Sequence, residues 1–133
     1  MGRKYFDQQI GGDVNTATLG SSAVSLKTGY NFVTYGTSGV ANDMLLPNIS
    51  YKGQQVSVSV DNNTTSVEAN VNTATTSDTF WGTAFNTATI ATTGDDGIPS
   101  LGLTAVTTAA WGITGISSSG HWTFSATTGS TGQ

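Results

Sequence analysis

The run Val56-Ser57-Val58-Ser59-Val60-Asp61-Asn62-Asn63-Thr64-Thr65-Ser66-Val67-Glu68-Ala69-Asn70-Val71 decides the fold class. Side chains along a strand point alternately to opposite faces, so this two-residue rhythm sends Val56, Val58 and Val60 one way and Ser57 and Ser59 the other. After Asp61-Asn62-Asn63 the rhythm resumes, with Thr65, Val67, Ala69 and Val71 set against Ser66, Glu68 and Asn70. Asn and Asp bond their own nearby main chain and so favour turns, and the whole stretch predicts a hairpin with one wet face.

The same period extends outward in both directions. Val24 and Leu26 alternate with Ser25 and Lys27, and Asn31 to Tyr35 is a short aromatic and β-branched run stopped by Gly36 and Gly39. Met44-Leu45-Leu46 ends at Pro47, which cannot donate to a ladder. Further runs lie at Thr79 to Trp81, Ala84 to Ala91, Leu101 to Ile113 and His121 to Ala126, separated by Gly94-Asp95-Asp96-Gly97 and Ser117-Ser118-Ser119-Gly120. Turn signals at this spacing belong to a sandwich or barrel. Leu101 to Ile113 is long enough for a helix, yet its Thr, Val and Gly residues are poor helix formers. No fixed repeat period is visible, which counts against a solenoid.

With 133 residues the chain has the size of one domain. The fold class read from these features is all-β, a single antiparallel sandwich or barrel-like domain over residues 23–126. Residues 1–22 lack a sustained period and contain Gly11-Gly12, Asp13, Asn15 and Gly20, which reads as an extended N-terminal arm. Residues 127–133 are Gly, Ser, Thr and Gln, a flexible tail. Three Trp, four Tyr and five Phe, spread along the whole chain, supply the apolar surface that separates this composition from a disordered one.

Charged residues are 9% of the chain against a usual value of about 25%. Arg3, Lys4, Lys27 and Lys52 are the only bases, so no basic track exists and nucleic acid is excluded as the main ligand. The absence of cysteine excludes disulfides, thiolate metal sites and cysteine nucleophiles. The residues from Met1 to Asp7 lead into no apolar stretch that could act as a signal peptide or a membrane span, so no membrane role is expected and the chain reads as made in the cytoplasm.

Reactive clusters are hard to assemble from these residues. His121 is the single histidine; a His metal cluster needs several chains, and its place after Ser119-Gly120 and before Trp122 suits a strand start. No Gly-x-Ser-x-Gly elbow occurs. Paired carboxylates could be Asp95 with Asp96 or Glu68 with Asp78. Asp95 and Asp96, flanked by Gly94 and Gly97, make better turn residues than flanks of one glycosidic bond. Oxygen ligands for calcium could come from that loop or from Asp61-Asn62-Asn63, but the EF-hand pattern is absent. The expectation is therefore a non-enzyme with no catalytic residue, no metal site and no cofactor.

Aromatic placement points to contacts with other chains. Phe80 and Trp81 are adjacent on a strand, so one ring must lie on each side of its sheet and one of them outside the core. Tyr5, Phe6 and Ile10, with Arg3 and Lys4, are unusual residues for a free tail and suit an arm that docks on a neighbour. Arg3, Lys4, Tyr5, Phe6, Ile10, Phe80 and Trp81 are the candidate interface with a further subunit or another protein. Trp81, Trp111 and Trp122 could also stack on sugar rings, although Trp122 alternates with Phe124 and Ala126 as a buried strand face does.

Three stretches together carry a family resemblance: Met44-Leu45-Leu46-Pro47, Gly53-Gln54-Gln55-Val56-Ser57-Val58-Ser59-Val60-Asp61-Asn62, and Gly120-His121-Trp122-Thr123-Phe124-Ser125 with its Gly, Ser and Thr tail. Over residues 43–126 the chain resembles small head-decoration (capsid cement) or head-fibre proteins of tailed phages. The resemblance implies a β-sandwich or barrel-like domain, usually a homotrimer, that sits on the major capsid protein at the virion surface and reinforces it. It implies no catalytic residues. The alternative is a receptor- or carbohydrate-binding β-module of a tail fibre or lectin-like protein, which would use Trp81 or Trp111.

Overall fold

The computed structural model describes residues 14–20, 22–34, 43–61, 67–92, 99–117 and 122–126, the side chains of 61, 67, 68, 91, 92 and 117 excepted. Eleven strands and no helix occur among them. The strands are β1 (Val14–Thr18), β2 (Val24–Ser25), β3 (Gly29–Thr34), β4 (Asp43–Leu45), β5 (Gln55–Asp61), β6 (Val67–Asn72), β7 (Thr79–Phe80), β8 (Thr87–Thr92), β9 (Ser100–Thr107), β10 (Ala110–Ser117) and β11 (Trp122–Ser125). They form two packed sheets, one six-stranded in the order β1-β3-β5-β9-β10-β7 and one five-stranded in the order β11-β8-β6-β4-β2. The chain is thus an all-β sandwich, as its two-residue rhythm requires.

Pairing within the sandwich differs from the sequence reading in three respects. First, β5 and β6 do not form a hairpin: β5 lies between β3 and β9, and β6 lies between β4 and β8 in the other sheet. The physical reason is that each strand carries an inward apolar row, Val56, Val58 and Val60 on β5 and Ala69 and Val71 on β6, all fully buried. Placing the rows in opposite sheets buries both in one core, and periodicity names the buried face without naming the neighbour.

Second, the sheets are mixed rather than antiparallel. β1, β3 and β5 run parallel in one sheet and β2, β4 and β6 run parallel in the other, because the chain crosses between sheets at every step up to β9. The first six strands therefore wind as a coil. Its turns are unequal, since Val14 lies beside Tyr30 whereas Gly29 lies beside Val56, and unequal turns leave no period in the sequence. Antiparallel pairs close the structure, β5–β9–β10 in one sheet and β6–β8–β11 in the other.

Third, the region read as an arm is partly in the domain. Val14–Thr18 pairs along its whole length with β3, and Leu19 is buried in the core. The run Leu101 to Ile113 is likewise two strands, β9 and β10, joined at Thr108-Ala109, where the Ala109 amide donates to the Thr107 hydroxyl at 3.0 Å. No Gly or Asn marks this connection, so its sequence carries no turn signal.

The core joins Val33, Val56, Val58, Val60, Leu101, Leu103 and Trp111 from the six-stranded sheet with Met44, Ala69, Val71, Ala88, Ile90 and Trp122 from the other. Each fully buried Val or Leu contributes roughly 1.5–3 kcal/mol relative to exposure. Phe80 on β7 meets Phe124 on β11 edge to face, with ring centroids 5.3 Å apart and planes at 79°. Such a pair adds about 0.5–1.5 kcal/mol beyond its buried area and ties the two sheets at that edge.

Candidate functional site

The phase of β3 sets the character of the outer surface. Alternation can bury either Tyr30 and Phe32 or Asn31 and Val33, and the chain buries the second pair: Asn31 is 3% exposed and Val33 is not exposed at all. A buried amide is tolerated only when its polar atoms are bonded. Asn31 Oδ1 accepts from Asn15 Nδ2 at 2.8 Å and from the Lys27 amide at 2.9 Å. Its Nδ2 donates to the Lys27 carbonyl at 2.8 Å and to the Ser57 carbonyl at 3.1 Å. Asn31 so joins β1, the turn before β3, and β5.

That arrangement turns Tyr30 and Phe32 outward, 63% and 40% exposed. Val14 lies beside Tyr30 and is also exposed, and Thr16 lies beside Phe32. On the other flank Tyr30 pairs with Ser57 and Phe32 with Ser59, and Gly102 and Ser100 follow on β9. Two shallow depressions result, of about 340 and 360 Å³. Thr16, Ala17, Thr18, Phe32 and Thr34 line the first, and Tyr30, Ser57, Ser59, Ser100, Gly102 and Gly115 are among the residues lining the second.

This sheet is poor in charge. Across its six strands the only charged residue is Asp61, the last residue of β5. The opposite sheet differs. On its outer face Asn70 Nδ2 donates to Asp43 Oδ1 at 2.8 Å and the Thr89 hydroxyl donates to Asn70 Oδ1 at 2.7 Å, a polar ladder whose members satisfy one another.

The two adjacent rings are split between core and surface: Phe80 is fully buried, so it offers nothing to an interface, and Trp81 is 63% exposed. Trp81 stands on a braced turn. Its amide donates to the Trp111 carbonyl at 2.7 Å, the Thr83 amide and hydroxyl both donate to the Phe80 carbonyl, and Gly82 takes a φ of 81°, a conformation L side chains resist. Trp111 cannot serve as a stacking platform, because it is fully buried. Trp122 is buried as well, at 7% exposure. No family model matches the chain, and no curated protein matches it either.

Asp78, once a candidate partner of Glu68, lies in the loop before β7 and is 9% exposed. Burial pushes its carboxyl above the ordinary aspartate value, and a hydrogen bond with Thr75 opposes that in part. Among the described residues no three His, Cys, Asp or Glu side chains gather as a metal site would require. Arg3, Lys4, Tyr5, Phe6, Ile10, Asp95, Asp96 and His121 lie outside the described residues.

Tyr30, Phe32 and Val14 were absent from the sequence-level candidates. The signal that finds them is the pair Asn15 and Asn31, polar residues placed on the inward phase of two strands that pair in register.

Proposed function

We propose that this protein is a virion structural module that decorates and stabilises the outside of a tailed-phage capsid, as an oligomeric cement protein bound to the major capsid protein. The outer face of the six-stranded sheet is its attachment surface. One observation carries this reading: Tyr30 and Phe32 stand exposed, two residues apart, on a sheet whose only charged residue is Asp61 at the end of β5. The centres of protein–protein interfaces are depleted in charge and enriched in aromatic residues, and a few such residues supply most of the binding energy. The resemblance of residues 43–126 to head-decoration proteins supplies the capsid as the partner. Attachment to many equivalent subunits lets modest contacts add through effective concentration.

The test is co-sedimentation with particles that lack the protein. Tyr30→Ser combined with Phe32→Ser is expected to abolish attachment while the far-ultraviolet circular dichroism stays unchanged, since both side chains are exposed. Attachment at the native level would overturn the proposal. Removal of Met1 to Gly12 is expected to weaken attachment more than it lowers stability, and equal attachment would remove the arm from the interface.

A second reading, glycan binding, is favoured by one observation, the exposed Trp81 ring on its hydrogen-bonded turn. Binding on a glycan array that vanishes in Trp81→Ala, with the fold intact, would select it over attachment to protein.

A further inference from the structure

We propose that two copies of this chain join head to head through β1, whose free edge pairs antiparallel with β1 of the second copy about a two-fold axis at Thr16. This goes beyond capsid attachment and uses a different surface, the rim of the six-stranded sheet rather than its face.

Among the described residues β1 has one ladder neighbour, β3. An unblocked edge is a template for another strand, and folded proteins blunt such edges with shortness, charge, proline or bulges. The ends β2 and β7 are two residues long, and β11 is four. β1 is five residues long, Val14-Asn15-Thr16-Ala17-Thr18, with no charge, no proline and an unbroken register against β3. It lacks every one of those devices.

Main-chain direction shows which groups are free. The Leu19 amide donates to the Thr34 carbonyl at 2.8 Å, so Leu19 faces β3. In a parallel pair alternate residues turn their N–H and C=O to the same side, which places Asn15 and Ala17 toward β3 and Val14, Thr16 and Thr18 toward the open rim. Thr16 therefore offers both a donor and an acceptor outward, at the centre of the strand.

The occupant is a second copy because the edge complements itself. At a two-fold axis a residue meets its own image, and any charge there would meet a like charge. β1 carries none, and neither does β2 at the end of the second sheet. With the axis at Thr16, Thr16 of one copy exchanges both main-chain bonds with Thr16 of the other, and Val14 faces Thr18. Thr–Thr cross-strand pairs are favourable. The two six-stranded sheets become continuous, and their aromatic faces lie on one side of the joint.

Sedimentation equilibrium of the full-length chain, from low to high micromolar concentration, tests this. The native protein is expected to show twice the chain mass. Thr16→Pro removes only an outward N–H, and Thr16→Lys places like charges at the axis; each is expected to weaken dimerisation by about tenfold or more, with circular dichroism unchanged. Thr16→Val keeps the main-chain bonds and should remain dimeric. If the proline variant fails to fold, the lysine variant decides, since its side chain is exposed in the single chain. A native protein that is monomeric throughout, or trimeric, or a dimer that both variants leave intact, overturns the proposal. Capsid attachment is read separately from the Tyr30→Ser/Phe32→Ser variant, so either proposal can fail alone.

Discussion

Replacing Asn31 by Ala removes a side chain that holds three parts of the chain together. Five hydrogen bonds go: two accepted by Oδ1, from Asn15 Nδ2 and the Lys27 amide, and three donated by Nδ2, to the carbonyls of Lys27, Ser57 and, at 3.4 Å, Gly29. A net hydrogen bond is worth about 0.5–1.5 kcal/mol, and a buried group left unpaired costs more. Asn15 is half-buried and Lys27 exposed, so water rescues part of the loss and the lower half of that range applies. The expected destabilisation is about 3 kcal/mol. Urea unfolding followed by tryptophan fluorescence reads it, because Trp111 and Trp122 are buried. With a denaturant slope of roughly 1.5 kcal/mol per molar, the midpoint falls by about 2 M. Asn31→Asp keeps the acceptor but turns a carboxylate oxygen toward those carbonyls, and is expected to cost at least as much as Ala. A loss below about 1 kcal/mol for Ala, or native stability for Asp, would refute the assignment of Asn31 as the residue that fixes the phase of β3.

Three further outcomes are expected. Phe80→Ala should cost about 3–5 kcal/mol, while Trp81→Ala next to it should stay within about 0.5 kcal/mol, both by urea unfolding; equal costs would contradict the placement of the two rings. Asp78→Asn should stabilise the protein at neutral pH, because burial raises the folded-state pKa of Asp78 and its charged form then opposes folding. The contribution of the protonated Asp78 is fully present below its unfolded pKa and is lost as pH rises through the folded one, so the advantage of Asn should vanish in acid; unfolding curves at both pH values check the sign. Gly53→Ala should cost about 1 kcal/mol from its φ of 90° alone, since an added Cβ meets nothing within 4 Å, whereas Gly20→Ala, with equally open space and no positive φ, should be neutral.

What could be read from the residues follows from what a two-residue period contains. Val56, Val58 and Val60 announce a strand and its buried face, and adjacent Phe80 and Trp81 announce one ring in and one ring out. The period is silent about partners, so β5 and β6 read as a hairpin although they lie in different sheets. It is also silent about phase wherever both faces hold plausible core residues. In Tyr30-Asn31-Phe32-Val33 the aromatic rings look like the buried set, and only the bonds to Asn15, Lys27 and Ser57 reverse that choice. The exposed aromatic face stayed hidden for this reason. β1 was hidden for another: Gly and Asn around it suggest an arm, and a five-residue edge strand has too little apolar content to announce itself.

The coil-wise winding has a consequence for biosynthesis. Val58 and Val56 lie beside Leu101 and Leu103, residues translated after all of the first six strands. Until they emerge, a nascent chain holds the uncharged Val-Ser run with one flank of its ladder vacant, a segment prone to recruit strands from other chains. Polypeptides ended before Ser100 are accordingly expected to collect in the insoluble fraction, and those extended through Ser125 to remain in the supernatant. Equal partitioning of the two lengths would show that the early strands protect themselves.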